Sequence, residues 1–159
     1  MYYLLCGRKD GCEMSSIGQA GSALKIAVDK VVENVGRQVV SRGTRAVNAI
    51  RNAELDVLKG SRSGRVYKKP YSSATYTASA PGEPPARRSG ALRLNWHGEV
   101  KGGNASGGGT QITAALESEQ HYAGYLEDGT KKMAPRPYKD RIAEKAAPEI
   151  IAIYNEPYS

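Results

Sequence analysis

The sequence has no phenylalanine and a single tryptophan, against ten tyrosines and eighteen glycines in 159 residues. A core without large, wholly apolar rings must rely on aliphatic side chains and on tyrosines whose hydroxyls stay wet. That recipe suits a thin domain, or one finished by its neighbours. The length suits one domain, which at this size buries roughly 70% of its unfolded surface. No apolar run approaches the roughly eighteen residues that a membrane span requires, so no membrane contact is expected. The opening MYYLLCG lacks the charged start and full apolar stretch of a secretion signal, and synthesis in a cytoplasm is expected. Cysteine is scarce: Cys6 and Cys12 cannot complete a four-ligand zinc site, and His97 and His121 are distant in sequence. In a reducing compartment they are expected to be free thiols, Cys6 and Cys12 alike, in a flexible leader over residues 1–14.

Recognisable catalytic chemistry is missing too. The glycine-rich GGNASGGG (102–109) has no Gly-Lys-Ser/Thr ending and sits where a connector between strands is expected, so it is not a phosphate cradle. No Gly-x-Ser-x-Gly elbow supports a hydrolase. Glu117, Glu119, Glu127 and Asp128 have the spacing of solvent-facing strand and turn positions, with only His121 near them. No catalytic residue, metal or cofactor is expected, and the chain is not expected to be an enzyme.

Acids are absent from one long stretch. None lies between Val57 and Gly82, where Lys59, Arg62, Arg65, Lys68 and Lys69 follow closely. Residues 1–80 hold thirteen Lys and Arg against six Asp and Glu, whereas residues 81–159 hold ten of each. The net charge of +7 therefore sits in the first half. Such a run either is a solvated face or meets a polyanion, nucleic acid phosphates or the acidic surface of a partner.

Apolar residues are present in a helical rhythm: Ala20, Leu24, Ala27/Val28, Val31, Val35 and Val39, then Val47, Ile50 and Leu58. Ser15 and Ser16 are N-cap candidates and Gly60 is the expected stop. The result is one helix of about forty residues or two in line, with a bend near Gly36 or Gly43. A helix this long outruns the core of so small a domain, which points to packing on another subunit. Residues 61–90, rich in Ser, Pro, Ala and Tyr, predict an extended arm. Ala91–Val100 alternates like a half-buried strand, Thr110–Leu116 would return beside it, and Gln120–Glu127 would add a third, with Asp128-Gly129 as a turn. A last helix opens near Pro137, shows Tyr138, Ile142, Ala146 and Ile150 on one face, and is kinked or restarted at Pro148. The expected class is α+β: a long N-terminal helix, a small antiparallel sheet of about three to four strands and a C-terminal helix, all within a single domain over residues 15–159.

YAGYLEDGTKKMAPRPY (122–138) is the densest segment. Tyr122, Ala123, Tyr125, Leu126, Glu127, Gly129, Thr130, Lys132, Met133, Ala134, Arg136 and Pro137 resemble the C-terminal signature of the neck proteins of long-tailed bacteriophages. These are the head–tail joining or tail-completion family related to the lambda tail-completion protein. APGEPPARRSGALR (80–93) resembles a second signature of that family, and the resemblance covers roughly residues 15–154. Asp128 and Tyr138 stand where the family commonly has an aromatic and a Phe. The resemblance implies a virion structural protein of the neck, with no catalytic role, that completes the tail and joins it to the head. It implies a homo-oligomeric ring, a hexamer before a dodecamer, around a channel for nonspecifically passing genomic DNA. Partners would be other neck and tail proteins of head-closure, tail-terminator or tail-tube type.

The physics of the segment is compatible with a joint. Pro84, Pro85, Pro135 and Pro137 reduce the entropy lost when an extended arm docks. Arg136 offers a planar fork to a carboxylate such as Glu127, inside the chain or across a subunit contact. Met133 and the tyrosines are types enriched at interface centres. Candidate interface residues are Pro84, Pro85, Tyr125, Glu127, Asp128, Thr130, Lys132, Met133, Arg136, Pro137 and Tyr138. Equally, Glu127, Arg136 and Met133 could hold the last helix to the sheet within one subunit. A stand-alone basic protein that binds nucleic acid without sequence preference is the alternative function.

Overall fold

The computed structural model describes residues 10–104 and 110–159. Its element order is a long helix, a small β-ribbon, a helical turn, a longer β-hairpin, a second helical turn and a final helix. The α+β class expected from the sequence holds. By their contacts the described residues divide into residues 10–38 with Ser159, and Val39–Tyr158.

Helix α1 runs unbroken over Asp10–Lys59 and contributes to both units. It is longer than the forty residues expected, and it does not break at Gly36 or Gly43. Ser15 and Ser16 lie inside it and so do not cap it; residues 10–14 of the expected leader are helical as well. Residues 1–9, with Cys6, lie outside the described residues, as do residues 105–109. In the first unit every residue from 18 to 34 is exposed. Asn34 and Gln38 both donate to the Ser159 carbonyl, the former at 2.9 Å.

Among the residues whose burial is described, the buried ones lie in the second unit. From Ala46 onward α1 presents Ala46, Ala49 and Ala53, three small side chains that let other elements approach closely, and carries buried Leu58 in its last turn. Ala53 and Leu58 join Tyr138, Ile142 and Ala146 in one cluster, flanked by Ile50, Leu92, Trp96 and Leu126. Tyr138, Ile142 and Ala146, three of the four residues expected on the inner face of the last helix, are buried there, and Ile150 packs against them. That helix, α4, spans Lys139–Tyr154 and passes through Pro148. Pro137 falls before the helix, outside its first position.

Strands β3 (Trp96–Asn104) and β4 (Thr110–Ser118) pair antiparallel, Trp96 opposite Ser118 and Val100 opposite Ala114. Alternation puts Ile112, Ala114 and Leu116 inward and Gln111, Thr113 and Glu117 outward. Two glycines set the closeness of helix and hairpin. A Cβ on Gly98 would lie 2.5 Å from Val47 Cγ1, and one on Gly43 would lie 2.8 Å from Ile112 Cδ1. Gly102, Gly103 and Asn104, read as connector, continue β3.

Three expectations are corrected. The structureless arm contains a ribbon, β1 (Val66–Lys68) with β2 (Thr75–Thr77), whose ends are tied by Lys69 N–H to the Ala74 carbonyl at 2.8 Å and Ala78 N–H to the Arg65 carbonyl at 2.9 Å. Ala91–Leu94 is a helical turn, α2, because Gly90 at φ 92° reverses the chain and Leu94 and Asn95 N–H groups bond back to Gly90 and Ala91. The third strand is likewise helical: α3 spans Ala123–Asp128. The four strands therefore form two separate ribbons and no single sheet.

Candidate assembly site

Residues 122–138 fold into a hydrogen-bonded unit. After α3, Gly129 takes φ 77°, and a Cβ there would lie 2.8 Å from the Pro135 nitrogen and 2.9 Å from the Met133 carbonyl oxygen. Both are backbone atoms that cannot step aside, so the turn requires glycine. Thr130 and Met133 exchange backbone bonds at 2.8 and 3.1 Å, closing the KKMA loop with Thr130 and Lys132 on its outside. Arg136 N–H then bonds back to Leu126 at 2.8 Å.

Glu127 and Arg136, expected as a forked pair inside the chain or across a subunit contact, do not pair inside the chain. Glu127 Oε2 instead accepts the Tyr138 and Lys139 N–H groups at 3.1 and 3.3 Å. A carboxylate there satisfies two donors that the start of α4 leaves open, and complements the positive end of its dipole. Arg136 donates through Nη1 to the Ser79 hydroxyl, and its buried Nε has no partner. Tyr138, expected at an interface, has no surface to offer. It is 0% exposed, donates its hydroxyl to the Ala123 carbonyl at 3.1 Å, and meets Trp96 edge-on at 6.2 Å. Burial, with Glu127 adding a smaller push, raises its hydroxyl pKa to about 12.

The two signature segments meet. Gly82 N–H donates to the Pro135 carbonyl at 3.2 Å and Arg141 donates to the Gly82 carbonyl at 2.9 Å. Glu83 locks the base of the arm, accepting Ser63 Oγ at 2.6 Å, Ser63 N–H at 3.1 Å and Ala80 N–H at 2.9 Å. These bonds, the Ser63 hydroxyl foremost, lower its pKa to about 2. Pro84 and Pro85 are buried behind this clasp. Of the candidate interface residues, Glu127, Arg136, Pro84, Pro85 and Tyr138 are engaged inside the chain, and Met133 and Pro137 are half-buried. Tyr125, Asp128, Thr130 and Lys132 are exposed.

Compared with protein-family models, curated proteins and solved structures, the chain shows no significant match. Its surfaces must therefore speak through their own chemistry.

The basic run does not act as a unit. Arg62 turns back on α1, donating to the carbonyls of Val57, Gly60 and Ser61 at 2.9, 2.8 and 3.0 Å and to that of Pro85 at 3.2 Å. It closes the helix C-terminus, where a cation opposes the dipole. Lys69 is half-buried at the turn, while Lys59, Arg65 and Lys68 are exposed. Among the described residues no group of three or more His, Cys, Asp or Glu could hold a metal, and no helix is long and apolar enough to cross a membrane.

Among the described residues, two surfaces lack internal partners. On α1, Leu24, Val28, Val31 and Val32 are 66, 51, 62 and 64% exposed. At 100° per residue they fall on one side with Ala20 and Ala27, while Lys25, Asp29, Glu33 and Arg37 follow one another at four-residue steps on the other. In the second unit, an apolar groove of about 390 Å³ is lined by Ile50, Trp96, Leu116, Ile142, Ile150 and Ile151. The α1 stripe was legible as periodicity. The groove was not, because it draws on four separated segments.

Proposed function

We propose that this chain is a non-catalytic assembly subunit of the neck of a tailed bacteriophage, closing as a homo-oligomeric ring, hexameric in the first instance, that completes the tail and joins it to the head. The observation that carries the reading is the exposed apolar stripe of α1. Fully burying a Leu or Val side chain is worth about 1.5–3 kcal/mol, and with roughly half to two-thirds of each of the four still exposed, about 4–7 kcal/mol is left that a lone protomer forgoes. A helix of this pattern recovers that energy by laying its stripe against another protein surface. In a closed ring the receiving surface is a different patch on the next copy, and the groove beside Ile150 and Ile151 has matching chemistry. The pairing of the 80–93 and 122–138 segments supports the same reading: both signatures of the resemblance build one rigid corner.

The ring would sit in the virion at the head-proximal end of the tail, with other neck and tail proteins above and below and DNA passing through. Lys59, Arg65 and Lys68 are the members of the basic run free to face that DNA. Negative-stain images of the purified protein test the proposal. Closed rings that persist in high salt support it. A protein that is monomeric at all concentrations, and that binds DNA with an affinity falling steeply as salt rises, would instead be the stand-alone nucleic-acid binder.

A further inference from the structure

A cleft of the second unit, about 910 Å³, lies between the β1–β2 ribbon, the 85–93 segment and α3. Its lining carries five arginines, Arg65, Arg87, Arg88, Arg93 and Arg136, and not one aspartate or glutamate. Four of the five come from the half of the sequence whose formal charge is zero, so folding concentrates a charge that the linear sequence disperses. Arg93 and Arg136 are anchored, on the Leu55 carbonyl at 3.2 Å and on Ser79, and the Nε of Arg136 is buried with no partner. Arg65, Arg87 and Arg88 are exposed, and among the described residues their side chains form no hydrogen bond or salt bridge. Guanidinium groups stay charged at any physiological pH and repel one another across such a cleft until an anion enters.

The floor decides which anion. Leu58, Leu92, Leu126 and Pro85 make it apolar, and Tyr67 and Tyr76, stacked at 6.0 Å, form a flat wall beside Arg65. A phosphate backbone has no use for an aliphatic floor. A polypeptide does: one apolar side chain can enter while carboxylates on either side meet the arginine forks, each able to take two hydrogen bonds. We propose that this cleft docks an extended acidic peptide segment of a partner protein, anchored by an aliphatic residue between Asp or Glu residues. The inference rests on the cleft alone and holds whether or not the protein closes into a ring.

The test uses the full chain and fluorescence anisotropy at low salt, with oligomeric mass read separately on each sample. The probe is a short capped peptide in which pairs of Glu or Asp alternate with single Leu. Binding to the unaltered protein is expected, weakened at least about tenfold by the exposed double substitution R87E/R88E, and again by R65E on the opposite wall. Replacing each Leu of the probe by Ser should cost about as much, and an oligothymidylate of equal charge should bind more weakly than the peptide. Three outcomes overturn the proposal: no binding of the peptide, binding indifferent to Arg65, Arg87 and Arg88 or to the probe's Leu, or tighter binding of the oligothymidylate with the same arginine dependence. The last would make the cleft a nucleic-acid site. Circular dichroism confirms that the variants fold, since all three arginines are exposed and unbonded.

Discussion

Glu54 lies on the buried side of α1 with 0% of its surface exposed. Its Oε2 meets Arg51 Nη1 at 2.6 Å and its Oε1 has no partner. Burial raises its pKa from 4.5 to about 7, against the opposing pull of Arg51 and Arg93. A carboxyl whose pKa rises on folding binds its proton more tightly in the folded state. Its environment therefore costs nothing below the unfolded pKa near 4.5, and stability falls as pH climbs from there through about 7. At about 1.4 kcal/mol per pH unit the full cost above pH 7 is on the order of 3 kcal/mol. Glu54→Gln keeps the shape and removes the charge. The pKa of about 7 already includes the attraction of Arg51, whose partly exposed guanidinium stays hydrated when the charge is removed. At acid pH, where Glu54 is already neutral, only a small change is expected, while at pH 8 Glu54→Gln should be more stable than the unaltered protein by up to about 3 kcal/mol. Urea unfolding at several values between about pH 5 and pH 8 should show stability falling with pH in the unaltered protein and a distinctly flatter curve in Glu54→Gln. A Glu54→Gln protein that loses about 3–5 kcal/mol at pH 8 and little at pH 5 would refute the reasoning, because that is the signature of a buried, fully ionised pair.

Other perturbations separate the remaining claims. Gly129→Ala places a Cβ against two backbone atoms at positive φ and should cost at least about 1–3 kcal/mol in thermal unfolding; a neutral result would mean that the 129–135 turn is looser than its geometry implies. Glu83 is held ionised by the arm, so its contribution is present above pH 4.5 and lost as pH falls toward about 2. Hydrogen-exchange protection at Ser63 and Ala80, relative to the unstructured rate at each pH, should fall over that acid range and should already be low at neutral pH in Glu83→Gln. Arg136→Ala should destabilise by about 1–3 kcal/mol, since it strands the Ser79 hydroxyl, against about 0–0.5 for exposed Lys131→Ala; equal small losses in a denaturant titration would mark Arg136 as an ordinary surface charge.

The parts of the fold that were legible share one property: their signal is local and repeated. The three-and-four spacing from Ala20 to Leu58 specified α1, Gly60 marked its end, and the Ile142, Ala146 and Ile150 spacing specified α4 together with its inner face. The parts that were not legible depend on distant partners. Tyr122, Tyr125 and Leu126 read as a strand, but that segment turns helical where the Tyr138 hydroxyl takes the Ala123 carbonyl and Glu127 reaches the start of α4. Leu92, Leu94 and Trp96 alternate as a strand does, yet Gly90 reverses the chain just before them. The VYK and TYT runs were too short to outweigh the Ser and Pro around them, although they carry the ribbon. Among site residues, Tyr125, Asp128, Thr130 and Lys132 keep the exposure an interface needs. Glu127, Arg136 and Tyr138 are spent inside the chain, because the first turn of α4 and the core claim them first. Arg87, Arg88 and Arg93 escaped notice because equal numbers of acids in the same half masked them, and only the fold takes those acids elsewhere.

The central claim is that the apolar stripe of α1 is covered by another subunit, and the mass of the particle in solution tests it most directly. Native mass spectrometry of the unaltered protein, beside a Leu24→Glu, Val31→Glu double variant, reads that mass. Both positions are exposed in the protomer, so the changes should leave its fold intact. The account predicts a single closed multiple of the protomer mass, six copies in the first instance, for the unaltered chain, and a folded monomer for the variant. A monomeric unaltered protein, or a variant that assembles as the unaltered one does, would contradict it.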